Sequence, residues 1–383
     1  MPTASRAEID AFIVMDVLEA ARKAEEAGRH IIHMEIGQPS SAAPAAARRA
    51  VAETLESDAM GYTVALGLPA LRQGIADLCK RWYGVDLDPA RVVVTSGSSG
   101  AFVLAFTALF DAGAKVGVTE PGYPSYRQIL KALDCVPVGI PTRDAARHVL
   151  EPVDVPEGLD GIMVASPANP TGTMLGHGQL AALIRQAKSR GCAFISDEIY
   201  HGLHYGDRAV SALEIDQDAW VINSFSKYFS MTGWRVGWMV VPERDVRTVE
   251  RLAQNLFICP PHVSQVAALA ALSDIAGLER HREGYAATRA LLLERLPQMG
   301  FSRFASPDGA FYVYVDVGHL TQDSRAFAAE ILEQAGVAVT PGLDFDPVRG
   351  HRTLRLSYAR DRAHIAEGLD RLAAFLSARE AAA

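Results

Sequence analysis

The sequence predicts an α/β fold: a large domain with a mostly parallel seven-stranded sheet sandwiched by helices, joined to a smaller α+β domain. Three observations predict it. Seven short β-branched or apolar runs lie between residues 91 and 241, none in strict alternation, so both faces of those strands expect cover. Helix-length segments separate several of the runs. After the long segment Pro242–Asp274 the pattern changes, in a chain whose 383 residues suffice for one large core and a second, smaller domain.

Taken in order, residues Ala7 to Gly28 place Ile9, Phe12, Ile13, Val17 and Leu18 at helical spacing, with Gly28 as the expected stop. A loop around Gly37–Pro44 leads into the main body. The predicted strands are Arg91–Thr95, Lys115–Thr119, Val136–Ile140, Gly161–Ala165, Ala193–Asp197, Trp220–Ser224 and Arg235–Val241. Predicted helices between them include Ala101–Leu109, Tyr126–Leu133 and Gln179–Arg190. In the smaller domain, strands at Phe311–Asp316 and Thr353–Tyr358 sit beside helices at Ser324–Gln334 and Ile365–Leu376. The expected division is an arm at 1–44 that joins the smaller domain, a large domain at 45–275 and the smaller domain at 276–383. Two domains are the minimum for a cleft.

Composition narrows the function. A hydrophobic fraction of 49% and a charged fraction of 21% are ordinary for a soluble enzyme. A net charge of -8 speaks against nucleic acid as the main partner, because phosphate backbones want clustered Lys and Arg. Cys79, Cys135, Cys192 and Cys259 are far apart and form no ligand pair, as expected of free thiols in a reducing compartment. Charged residues Arg6, Glu8 and Asp10 at the start argue against a signal peptide, and no apolar run reaches 18 residues. A cytoplasmic protein with no membrane partner is expected.

The sharpest local signal is Ser224-Phe225-Ser226-Lys227, just past an apolar strand's carboxyl end, where open α/β sheets bind ligands. Arg235 follows eight residues later. Upstream, Asp197 and Tyr200 in Ser196-Asp197-Glu198-Ile199-Tyr200 also follow a strand. A carboxylate there can keep a pyridine nitrogen protonated, and a phenol can bond a ring oxygen. The same Asp fits a helix N-cap equally well. Asn169, in Ser166-Pro167-Ala168-Asn169-Pro170-Thr171-Gly172, is a candidate donor in a turn. Thr95-Ser96-Gly97-Ser98-Ser99-Gly100 reads as a loop between a strand and the helix from Ala101, where free N–H groups and the helix dipole suit a phosphate. It fits neither a dinucleotide fingerprint nor a Walker loop. Tyr123, in Pro121-Gly122-Tyr123-Pro124, offers a ring for stacking.

Order and combined spacing decide among these readings. Ile36-Gly37-Gln38-Pro39, Gly61-Tyr62-Thr63 with Gly67-Leu68-Pro69, Ser98-Ser99-Gly100, Tyr123, Asn169-Pro170-Thr171-Gly172, Ser196-Asp197-Glu198-Ile199-Tyr200, Ser224-Phe225-Ser226-Lys227, Arg235 and Arg355-Leu356-Ser357 follow one another in one series. Across nearly its whole length the chain resembles the class I/II aminotransferases of the fold-type I pyridoxal-phosphate enzymes. The resemblance implies pyridoxal 5'-phosphate as cofactor and a ping-pong transfer of an amino group from an L-amino acid to a 2-oxo acid. It implies that Lys227 is the Schiff-base lysine and later the proton shuttle. Asp197 would face the ring nitrogen, Asn169 and Tyr200 the ring oxygen, and Tyr123 the ring face. Ser98, Ser99, Gly100, Ser224 and Arg235 would hold the phosphate, with Tyr62 reaching the phosphate of a neighbouring subunit in a homodimer. Arg355, Gly37 and Asn169 would meet the substrate's α-carboxylate. No metal is implied.

Two departures from the family pattern stand out. Ser99 occupies a position where some aspartate-using relatives carry a lysine, which favours apolar or aromatic substrates over dicarboxylic ones. Phe12, Ile13, Trp234 and Tyr358 are the candidate pocket walls. Ser166-Pro167 also lacks an Asn that often precedes the first Pro. Competing readings are a carbon–sulfur β-lyase on the same scaffold, a ligand-binding module of a regulator, and a metal hydrolase built on Asp197, Glu198, His201 and His204. Residues 1–35 offer no basic DNA-binding segment for the second, and Gly202 interrupts the histidine pair of the third.

Overall fold

A computed structural model describes residues 3–382 of the chain. Its strands are β1 (Ile32–His33), β2 (Val92–Thr95), β3 (Lys115–Glu120), β4 (Val136–Pro141), β5 (Gly161–Ala165), β6 (Ala193–Asp197), β7 (Trp220–Ser224), β8 (Gly237–Val240), β9 (Tyr312–Asp316), β10 (Val337–Ala338), β11 (Thr340–Pro341) and β12 (Thr353–Ser357). Seven form one sheet in the order β2-β8-β7-β6-β5-β3-β4. β8 is antiparallel to both its neighbours, and the other pairs are parallel.

Both faces of the sheet are covered except at the edge strand β4, which explains why its inner strands read as continuous apolar runs. Successive residues still point to opposite sides. Val92, Val94, Ile162 and Val164 join one hydrophobic core, while Val93, Met163, Ile195 and Ile222 join another with Phe102 and Phe106. The first of these cores continues without a break into the C-terminal part through Phe311, Val313, Val315, Leu354 and Leu356. There β11, β12 and β9 make a three-stranded antiparallel sheet, and β1 pairs in parallel with β10. The N-terminal segment is thus tied to residues near 337, and Ser357 N donates to Met34 O at 2.7 Å. Residues 1, 2 and 383 of the expected arm and C-terminal domain lie outside the described residues.

Several predicted boundaries shift for identifiable reasons. The first helix begins at Ile13 rather than near Ala7, because its first free N–H groups are capped by the Asp344 carboxylate; Ile9 lies outside it and is exposed. The predicted Thr95–Gly100 loop is mostly helix: the helix Gly97–Leu109 starts at a glycine with φ of 70°. Strand β8 starts at Gly237 rather than Arg235, since a short 3-10 turn places Arg235 in the left-handed region at φ 49°. The segment 242–274 holds two helices, Glu243–Leu256 and His262–Ala271, interrupted at Pro260-Pro261, where the chain cannot continue an i→i−4 ladder.

Candidate active site

Parallel strands deliver their carboxyl ends to one edge of the sheet, and there a cavity of about 230 Å³ opens. β6 ends at Asp197, β7 leads into the turn bearing Lys227, β5 leads into the loop bearing Asn169, β3 leads to Tyr123, and β2 leads to the helix bearing Ser98 and Ser99. All of these side chains line the cavity. Arg355 enters from β12 and Gly37 from the N-terminal segment.

Lys227 is half-buried, and its Nζ donates to Gly37 O at 2.7 Å. Burial pushes its ammonium down to about 7, with the positive charges of Arg355 and Arg235 acting in the same direction and Asp197 against them. An amine so placed is largely available as a nucleophile or base near neutral pH. Asp197 is 2% exposed; burial raises its carboxyl to about 6, opposed by bonds from the Tyr126 hydroxyl and from Ile199 N at 3.0 Å. At neutral pH it remains mainly ionised. The bond from Ile199 N closes a turn over residues 199–202 and no helix follows, so Asp197 is not the helix N-cap that the sequence equally allowed.

The opposite end of the cavity is built for an anion. Ser98 and Ser99 sit in the first helical turn, whose N–H groups have no intrahelical partner. A Cβ on Gly97 would lie 2.4 Å from Arg235 Nη2, so only glycine lets the guanidinium settle over this turn. Among the described residues Arg235 has no carboxylate partner and donates only to Thr232 O, at 3.0 Å.

Arg355 is 2% exposed and lies between two rings, its Cζ 4.4 Å from the Tyr312 centroid and 4.7 Å from the Phe345 centroid. It donates to Asn169 Oδ1 at 3.0 Å, to Thr340 Oγ1 at 3.3 Å and to the carbonyl of Glu35. Its Nε is buried and unpartnered, and among the described residues no carboxylate neutralises it. A desolvated cation without a counter-ion is costly unless an anion arrives. Phe12, Val14, Met15 and Ile36 form an apolar wall on the same cavity.

Not every predicted residue reaches the cavity. Gly100, the next residue of the helix after Ser99, is buried and does not line the cavity. Ser224 does not line the cavity wall; its hydroxyl lies within hydrogen-bond reach of Val236 O at 3.1 Å and of Ser226 Oγ at 2.8 Å, and Ser226 does line it. Tyr62 is 83% exposed and does not line the cavity of its own chain. Of the four candidate walls only Phe12 lines the cavity; Tyr358 is fully buried, and Ile13 and Trp234 stand outside it. Tyr126 and Tyr312 also line the cavity, and their only signals in the sequence are that Tyr126 lies one helical turn from Tyr123 and that Tyr312 alternates with Tyr314. His201 is committed elsewhere: Nε2 lies 2.9 Å from Ser166 O and Nδ1 2.6 Å from the Tyr83 hydroxyl, and burial holds its imidazole down at about 3. Glu198 accepts from Ala212 N at 2.8 Å and lies 3.5 Å from His201 Nδ1, but among the described residues no three such groups gather at one point as the hydrolase reading needs.

The pieces present fit a flat aldehyde cofactor bearing a phosphate: an amine with a low pKa, a buried carboxylate, an aromatic face at Tyr123 and an anion cradle. Comparison with known proteins agrees. The family profile described as aminotransferase class I and II matches residues 29–372. Valine–pyruvate aminotransferase of Mycobacterium tuberculosis is 44% identical over 382 residues, covering 97% of this chain and 98% of that protein. A solved aminotransferase from Mycobacterium tuberculosis is 42% identical with a TM-score of 0.96, covering 99% of this chain and 100% of that one. The aspartate aminotransferase of Thermus thermophilus, solved with maleate, is 30% identical with a TM-score of 0.92 over 98% of this chain and 100% of that one.

Proposed function

The chain belongs to the class I and II aminotransferases, pyridoxal-phosphate-dependent enzymes of fold type I, and from that premise we propose that it moves the amino group of an apolar L-amino acid to a 2-oxo acid. The observation that carries this reading is Arg355, a buried guanidinium without a counter-ion beside an apolar wall. One carboxylate satisfies it. Among the described lining residues the other cations are Lys227 and Arg235, which the cofactor would engage, so nothing remains for a second substrate carboxylate. The relative named for valine and pyruvate supports the same choice.

When bound, pyridoxal phosphate supplies a carbonyl for the amine and a ring that accepts electrons from the substrate's Cα. Lys227 would hold it covalently and, once released, would carry the proton from Cα. Asp197 would hold a proton on the ring nitrogen, with Tyr126 and Ile199 N fixing its carboxylate. Tyr200 and Asn169 would donate to the ring oxygen, and Tyr123 would cover one face. The first-turn amides at Ser98 and Ser99, with Ser226 and Arg235, would bind the phosphate. Arg355 would grip the α-carboxylate and so orient the Cα–H bond toward Lys227. Phe12, Val14 and Met15 would exclude water from the side-chain end.

We further propose a homodimer in a reducing, cytoplasmic setting. Tyr62 and Val64 are exposed large hydrophobic residues, as are Leu256 and Ile258. The loop is braced by His262 Nδ1 lying 3.1 Å from Gly61 O and by Gln265 Nε2 donating to Thr63 Oγ1 at 3.0 Å. A second copy covering it would let Tyr62 reach the neighbouring phosphate. The test is a rate comparison with pyruvate as acceptor: valine and leucine should exceed aspartate in kcat/KM by about tenfold or more. A preference for aspartate would overturn the apolar reading.

A further inference from the structure

Tyr312 lies where the two halves of the cavity meet. It opens β9, opposite Ser357 of β12, and is 1% exposed. Its ring stacks on Arg355 at 4.4 Å, and its hydroxyl lies 2.7 Å from the Tyr200 hydroxyl. The same hydroxyl fills the side-chain space of residue 37, because a Cβ on Gly37 would sit 1.7 Å from it. Gly37 O in turn receives the Lys227 amine at 2.7 Å. One phenol therefore touches the carboxylate clamp with its face and the cofactor-side phenol with its tip.

Resting on the proposed function, we propose that Tyr312 is a positioning residue that sets the strength of the Tyr200 hydrogen bond and holds Arg355 flat for its carboxylate. The direction of the proton follows from supply. If Tyr200 gives its hydrogen to the ring oxygen of the cofactor, its own oxygen is free to accept, and Tyr312 is the donor within reach. A phenol that accepts one hydrogen bond donates the next more strongly. Tyr200 then stabilises negative charge on the ring oxygen, which lowers the proton affinity of the nearby nitrogen linked to Lys227. The ring face acts separately: it gives Arg355 a flat electron-rich support that competes with no carboxylate for the N–H groups.

The two functions separate by substitution. Tyr312→Phe keeps the ring and removes the donor. In the cofactor-loaded enzyme, the pH at which the visible absorption band changes should rise by about half a unit to one unit. Affinity for 3-methylbutanoate, an apolar carboxylate without an amino group, should stay within about twofold, since the stack survives. Tyr312→Leu should weaken that affinity about tenfold. Because Tyr312 acts through Tyr200, the Tyr200→Phe/Tyr312→Phe double variant should shift the band no further than Tyr200→Phe alone. An unshifted band in Tyr312→Phe, or additive shifts in the double variant, would overturn the coupling. Unchanged carboxylate affinity in Tyr312→Leu would overturn the support of Arg355. Wild-type protein that gains no visible band with pyridoxal phosphate would overturn the functional reading, and this inference with it.

Discussion

At the residue scale, the chemistry depends on charges left incompletely paired in a dry place. Lys227 titrates near 7 instead of its ordinary 10.5 because burial disfavours its charge. Capture of pyridoxal phosphate by the cofactor-free protein should therefore accelerate with pH through about 7 and level off above 8; a rate still climbing at pH 10 would contradict it. Stability is linked to the same shift. Between pH 7 and 10.5 the unfolded chain holds a proton that the folded cofactor-free chain does not, so stability rises with pH across that window. Lys227→Met should remove that dependence and raise the melting temperature of the cofactor-free protein at pH 7.5, a gain on the order of 2 kcal/mol. Arg355→Lys keeps the charge but loses the planar fork, and kcat/KM should fall about a hundredfold with most of the loss in KM. Lys227 and Asp197 were legible because each follows an apolar strand at the sheet's ligand-binding edge. Tyr126, Ser226 and Tyr312 were not, because their importance lies in which neighbour each hydroxyl meets.

At the element scale, the first helix and the helix Gly97–Leu109 shape the two ends of the cavity. The first is held by Asp344, whose two oxygens accept from Ile13 N and Val14 N at 3.1 Å each. Asp344→Ala removes this cap and should cost about 1 kcal/mol of local stability. Phe12, Val14 and Met15 would then lose their fixed place, so KM for valine should rise more than kcat falls; an unchanged KM would show that the wall needs no anchor. At the other end, Gly97→Ala sets a Cβ against Arg235 at a φ that glycine prefers, and cofactor affinity should drop at least about tenfold, read by fluorescence titration. Sequence periodicity found both helices but misplaced their starts by several residues. A helix begins where its free N–H groups find partners, and the partner here comes from a loop more than 300 residues away.

At the scale of the whole molecule, the mostly parallel sheet was readable because burial on both faces leaves an unmistakable apolar run, and the C-terminal change of pattern was readable for the opposite reason. What no local pattern could reveal is that one hydrophobic core passes from the sheet into the C-terminal strands, fixing Arg355 in β12 against Asn169 in the loop after β5. With one jaw of the proposed clamp on each part, catalysis should depend on their relative placement. In the proposed homodimer the exposed loop at Tyr62 would add a dependence on a second copy. Sedimentation should report a dimer at micromolar concentration, and Tyr62→Ala should release cofactor faster without changing that state; a wild-type monomer would contradict the shared site. The central claim, that the amine of Lys227 carries the cofactor, has a direct test. The protein is loaded with pyridoxal phosphate, reduced with borohydride, digested and mapped by mass spectrometry. The cofactor's mass should be found on the peptide containing Lys227 and lost from that peptide if valine is added before reduction. Finding it on another lysine, or on none, would contradict the mechanism.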